Sequence, residues 1–190
     1  MRLPILASIL LLAAASPALA QAPVPPDAVA EHRDMRARAE AGDAAAQWEL
    51  GMMLLNGHGA PKNEREAYRW VRASGDAGNE SGMISTAVML AMGQGVARDP
   101  AQARDWYRRT AETHGSAHAL RGLAGMLITG DGGPTDLNRG MAYLQLADEA
   151  GDENAGRLLE IVGPQVGAEV DPARVEALKA EWVAAHGKPD

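Results

Sequence analysis

The 190-residue chain contains no cysteine and no phenylalanine. Without cysteine there can be no disulfide scaffold, thiolate zinc site, iron–sulfur cluster or cysteine nucleophile. Aromatic residues make up only 4% of the chain, too few for the aromatic and β-branched faces that build a sheet sandwich. Basic residues are also scarce. Against 25 Asp and Glu there are 18 Lys and Arg, and the formal charge of −7 has the wrong sign for a protein that neutralises nucleic-acid phosphates. Glycine and proline, at 21 and 11 residues, stay below the share that marks low-complexity chains. What the chain does have is alanine, 38 residues of the 190, within a hydrophobic share of 46%. Small side chains on that scale point to closely packed helices.

The first twenty residues read as an address for export. Arg2 supplies a positive start, Leu3 to Ala15 form an apolar run interrupted only by Ser8, and Pro17-Ala18-Leu19-Ala20 ends in the small-x-small pattern accepted by signal peptidase. The run is too short for a membrane anchor, which needs about 20 apolar residues. No cysteine follows the site, so a lipoprotein anchor is excluded. Cleavage after Ala20 is expected, giving a periplasmic or secreted protein with no integral membrane segment. An exported protein could have used disulfides, and this one does not.

The remainder is organised by a repeat. Gly42-Asp43, Gly78-Asn79, Gly115-Ser116 and Gly151-Asp152 recur at spacings of 36, 37 and 36 residues. Fifteen residues after each of the first three comes Gly57, Gly93 or Gly130, and two further on Gly59, Gly95 or Gly132. The following loops end in Asn63, Asp99 and Asp136, residue types that cap a helix by accepting its free amides. The next stretch carries one ring per unit, Trp70, Trp106 and Tyr143, with a small residue three positions earlier: Ala67, Ala103 and Gly140. Each unit therefore reads as a helix, a Gly-x-Gly turn with left-handed glycine terminators, and a second helix running back. On the first helices Leu50/Met53/Leu54, Thr86/Met89/Leu90 and Leu123/Met126/Leu127 form an i, i+3, i+4 stripe, with Gly51, Ala87 and Ala124 as points of close approach. One such hairpin cannot bury both faces, so stacking on the next is obligatory.

Ala46-Gln47-Trp48-Glu49-Leu50-Gly51, Asn56-Gly57-His58-Gly59-Ala60-Pro61 and Ala67 to Trp70 resemble the Sel1-like repeat, a relative of the tetratricopeptide repeat. Gly93-Gln94-Gly95-Val96 and Trp106-Tyr107-Arg108 match in the second unit, where Thr86-Ala87 replaces the usual Leu-Gly. The third has Leu123-Ala124, one extra residue in the preceding turn, and Gly140 in place of Ala. The resemblance covers roughly residues 38–162 and implies an all-α fold, a right-handed superhelical solenoid of stacked helix–turn–helix units. The expected division is a signal peptide over 1–20, a disordered Pro-rich stretch over 21–26, the repeat array with an N-terminal capping helix over 27–162, and a linker followed by a C-terminal capping helix over 163–190. That last helix starts at Asp171-Pro172 and carries Val175, Leu178 and Trp182 on one stripe.

Catalytic chemistry is not legible. No serine sits in G-x-S-x-G or S-x-x-K, and the Gly-x-Gly pairs follow no strand and lack a third glycine. His114 and His118 have the i, i+4 spacing of zinc ligands, but Gly115-Ser116 places the first in the turn before a helix cap. Asp131 and Asp136 lack calcium-loop spacing, and Glu64 and Glu66 interleave with Arg65 and Arg69 as a solvated face does. No metal, cofactor or enzymatic activity is expected.

Binding is the remaining class. In stacked hairpins the first helices line a concave groove, so their residues outside the buried stripe become the candidates: Trp48, Glu49, Met52, Asn56, Ile84, Ser85, Val88, Met92 and Arg121. An aromatic at the Trp48 position is as compatible with core as with groove. Ile84, Val88 and Met92 form an apolar patch where a solvated helix would carry charge, the mark of an interaction site. The expectation is an exported, monomeric adaptor or regulator that binds a protein or peptide in this groove and binds no nucleic acid. Family members serve as adaptors in signalling and envelope assembly, and an exported cysteine-rich branch is linked with β-lactam binding. That branch implies the second reading, a binder of small molecules or cell-wall fragments, although its cysteines are absent from this chain.

Overall fold

The structure, a computed structural model, describes residues 25–190. The expected signal segment 1–20 and residues 21–24 of the Pro-rich stretch lie outside the described residues. Nine helices and no strand are found among those described: α1 Pro26–Glu40, α2 Ala44–Asn56, α3 Glu64–Asp76, α4 Glu80–Met92, α5 Pro100–His114, α6 Ala117–Thr129, α7 Leu137–Glu149, α8 Glu153–Val166 and α9 Pro172–His186. They form a helical repeat solenoid in which α2/α3, α4/α5 and α6/α7 are the three hairpins. Two boundaries need correcting. Pro25 and Pro26, assigned to a disordered stretch, are the N-cap and first residue of α1, where a fixed φ suits the helix and a missing N–H costs nothing.

The helix starts obey local chemistry throughout. Asp43, Asn63, Asn79, Asp99, Ser116, Asp136, Asp152 and Asp171 each accept a backbone N–H from the turn that follows, at 2.9–3.3 Å. Gly57, Gly93 and Gly130 end α2, α4 and α6 in the left-handed conformation, with φ of 72°, 73° and 74°. The second glycine of each turn has a different task. A Cβ on Gly59, Gly95 or Gly132 would run into the carbonyl oxygen of Ala28, Glu64 or Pro100 at the start of the preceding outer helix. Each turn is thereby locked onto the unit before it, and α1 serves as the outer helix that precedes the first unit.

Two clusters form the core. The smaller joins α1, α2 and α3 around Leu50, Leu54 and Val71 and reaches Met89 of α4; the larger runs from α4 to α9, and Tyr68 packs against both. Ala67, Ala87, Ala103, Ala124 and Ala142 are fully buried, so alanine marks the lines of helix contact. Thr86, the departure from the usual Leu in unit two, is buried with its hydroxyl donating to the Gly82 carbonyl at 2.7 Å. Of the inner helices α2 and α4 approach one another directly, and cavities open beside the outer helices α3, α5 and α7. In stacked hairpins of this kind α2, α4, α6 and α8 form the inner, concave row and α3, α5 and α7 the outer, convex row.

The C-terminal part departs from expectation. Residues 163–166, assigned to a linker, belong to α8, which runs through Gly163 and Pro164 to Val166. Val162 and Val166 pack on the larger core, and that burial outweighs the single backbone bond Pro164 gives up so near the helix end. The buried stripe Val175, Leu178 and Trp182 on α9 is as read. Its partner is not the last inner helix. α9 lies along α7: Asp171 donates its N–H to the Asn138 side chain at 2.8 Å, Lys179 reaches Glu149, and Trp182 meets the Tyr143 ring edge-on at 5.2 Å between centroids. Asp190 then bonds both Gly115 and Ala117 at the α5–α6 turn. The far face of α8 is left open, with Ile161 59% exposed.

Candidate functional site

On the inner face the repeat register puts Trp48, Ile84 and Arg121 in one row, and Met52, Val88 and Gly125 in the next. Trp48 answers its own ambiguity. Its ring is half-buried against the small core cluster, while its indole N–H donates to the Ser85 hydroxyl of the next unit at 3.0 Å. It is at once packing and groove wall. Glu49 and Asn56 are exposed, and Met52 is half-buried. The apolar patch expected from Ile84, Val88 and Met92 is smaller than its sequence implies. Ile84 and Val88 are half-buried against the larger core because α4 lies between two other inner helices, and Met92 alone stands out, at 73% exposed.

Arg121 also differs from a free groove residue. Its Nε donates to Asp152 at 2.8 Å, and the Asp152 side chain is only 2% exposed. Asp152 accepts the Asn154 and Ala155 amides as well, so one carboxylate caps α8 and ties it to α6. Burial alone would raise the pKa of Asp152, but Arg121 and the two amides outweigh it and hold the group below its ordinary 3.8. Arg121 therefore frames the groove as a fixed strut between units. Beyond it the α6 surface is flat, because Gly122 packs under the Tyr107 ring and a Cβ on Gly125 would meet nothing.

The histidine pair does not converge on a site: His114 ends α5, His118 lies in α6, and both are exposed. No group of three or more metal-ligating side chains occurs among the described residues. Nor is any helix among them long and apolar enough to cross a membrane.

The convex side holds the structure that the sequence reading missed. Arg36, Arg72 and Arg108 recur at intervals of 36, each on one outer helix beside the ring of the next. Arg36 pairs at 2.7 Å with Glu66, which also accepts from Trp70. Arg72 and Arg109 sit on the Trp106 ring, 5.0 and 4.0 Å from its centroid. Arg108 and Tyr143 line a cavity of about 400 Å³ between α5 and α7, floored by Leu123 and Leu127 of α6. The arginine spacing was visible in the chain. That these arginines face the rings follows only from the stacking of units.

The comparisons agree with this architecture. The Sel1 repeat model matches residues 44–79, 81–112 and 117–152. No curated protein matches the chain. Among solved structures, a Sel1 repeat protein from Oxalobacter formigenes is similar at 30% identity and a TM-score of 0.60, over 68% of this chain and 97% of that one. A protective antigen of uropathogenic Escherichia coli strains, displaying an SLR fold, is similar at 25% identity and a TM-score of 0.67 over 84% of this chain. This chain spans 33% of that antigen's length. Three matched units, stacked as hairpins and closed by the same turn glycines, make the chain a member of the Sel1 repeat family.

Proposed function

We propose that the chain is an exported, non-catalytic scaffold that holds a protein or peptide along its inner face. Sel1 repeat proteins are in general protein-interaction scaffolds, and the finer reading rests on one observation. The Trp48–Ser85 bond joins two units into a single shallow surface, on which Met52, Ile84, Val88 and the protruding Met92 offer apolar contacts around few charges. Methionine accommodates varied partners, and an extended segment or helix suits a surface of this kind. The leader-like residues 1–20 support the reading that this activity belongs to the periplasm or the cell exterior, with the scaffold as a monomer.

Photo-crosslinking in the native host tests the surface. A crosslinker at position 92 or 52 is expected to give one discrete protein adduct, lost on Val88→Asp, while a crosslinker at the convex position Arg65 gives none. Equal adducts from both faces, or none from either, would refute the inner-face reading. Export is read separately by mass spectrometry, where the mature N-terminus is expected at Gln21.

A further inference from the structure

The convex groove between α5 and α7 is where unit three departs from its neighbours, and three departures converge there. Gly133 stands where units one and two have Ala60 and Val96; Arg139 stands where they have Glu66 and Gln102; and Arg104 stands where the preceding outer helix has Tyr68. In the equivalent groove between α3 and α5, Tyr68 and Val96 pack onto the core and the space is divided into two separate cavities, about 220 Å³ beside Arg72, Gln102 and Trp106 and about 480 Å³ beside Arg65, Gly95 and Val96. Between α5 and α7 those side chains are gone and the cavity is about 400 Å³, within the range of sites that hold small ligands.

The charges in the groove are unequally occupied. Asp105 and Glu112 both pair with Arg108, at 3.5 and 3.0 Å. Arg104 has no carboxylate partner among the described residues. Its Nη1 donates to the Pro134 carbonyl at 3.0 Å and lies against Gly133, where a Cβ would come within 2.6 Å of it. Arg139 makes only a loose ion pair with Asp136, at 3.7 Å and beyond hydrogen-bonding distance. Two guanidinium groups with unused donors thus enter one cavity from opposite helices, above the buried side chains of Leu123 and Leu127 and beside the Tyr143 ring.

We propose that this groove binds a carboxylate with a short apolar body. Arg104 and Arg139 take the carboxylate, for which a planar fork of donors is the natural partner, and Leu123, Leu127 and Tyr143 take the body. A free acid and the last residue of a peptide offer the same chemistry. The site is independent of the inner face.

Calorimetry on the full chain tests it, with N-acetyl-leucine, its neutral amide, inorganic phosphate and a short peptide ending in leucine as probes. The acid is expected to bind at least about tenfold more tightly than the amide, the scale of one charge-assisted bond. Arg139→Gln should weaken the acid by about as much, and Gly133→Val should abolish binding by filling the cavity. Gln and Val are the residues of unit two at these positions, so both variants are expected to fold, which circular dichroism checks. Val88→Asp, on the inner face, should leave the acid's affinity unchanged, so this site can fail while the inner-face reading stands, and the reverse. A peptide that binds as well as the acid makes the ligand a chain end; a peptide that is excluded makes it a free acid. Equal binding of acid and amide, phosphate binding as tightly as the acid, wild-type affinity in both groove variants, or no heat with acid and peptide would each overturn the proposal.

Discussion

Replacing Asp152 by alanine removes a cap and a strut in one substitution. Loss of the cap to α8 costs about 1 kcal/mol. Breaking a buried ion pair costs about 3–5 kcal/mol when the surviving charge is trapped. Here the Arg121 side chain is 28% exposed and can turn toward water, so that part falls to about 1–2 kcal/mol. The sum of about 2–3 kcal/mol corresponds to a drop of roughly 5–10 °C in Tm for a chain of this length. Asp152→Asn, which keeps an acceptor for the amides, should lose about half as much. The site of the damage is the more telling readout. Because each unit touches only its neighbours, hydrogen exchange should accelerate across α8 and leave α2 to α4 unchanged. A Tm shift under about 2 °C would refute the strut, and uniform loss of protection from α2 to α8 would refute the unit-by-unit account of stability. The sign with pH follows from the depressed carboxyl: the stabilisation is present at neutral pH and is lost as pH falls below the ordinary value of 3.8.

Three further outcomes follow from the packing. His32 is buried in α1 with its Nε2 unpartnered, and burial, with Arg36 nearby, lowers its pKa below 6.5. The unfolded chain therefore binds the proton first, so exchange in α1 should quicken as pH falls through about 6.5, an effect expected to vanish in His32→Leu. Gly95→Ala combines a φ of 70° with a collision against the Glu64 carbonyl, and should cost at least about 2 kcal/mol in chemical unfolding. Gly125→Ala lies in a helix with open space around the new methyl, and the same assay should show about 0.5–1 kcal/mol of added stability.

How legible the protein was depends on the range of the forces involved. Caps, turn glycines and the buried stripe act within one helix or one turn, and a 36-residue spacing repeats them often enough to be recognised. Asp43, Asn63, Gly57 and Leu50 therefore do in the structure what their positions implied. Residues 163–166 differ from the local expectation because glycine and proline favour a stop locally, while the partial burial of Val162 and Val166 is decided by contacts outside their own helix. The inner-face residues were identified by register, but register does not say which are spent on packing: half of the Ile84–Val88 patch and the charge of Arg121 are.

By itself the sequence determined the class of fold, the number of units and where each helix of the repeat begins, since these rest on backbone hydrogen bonding and side-chain periodicity. Tertiary structure alone decided that α9 lies along α7 and leaves α8 open, and that Trp48 bonds across units. It also brought Arg104 and Arg139 into one groove. Those outcomes depend on how separate units stack, and stacking is set by shape and burial between residues that no local pattern relates.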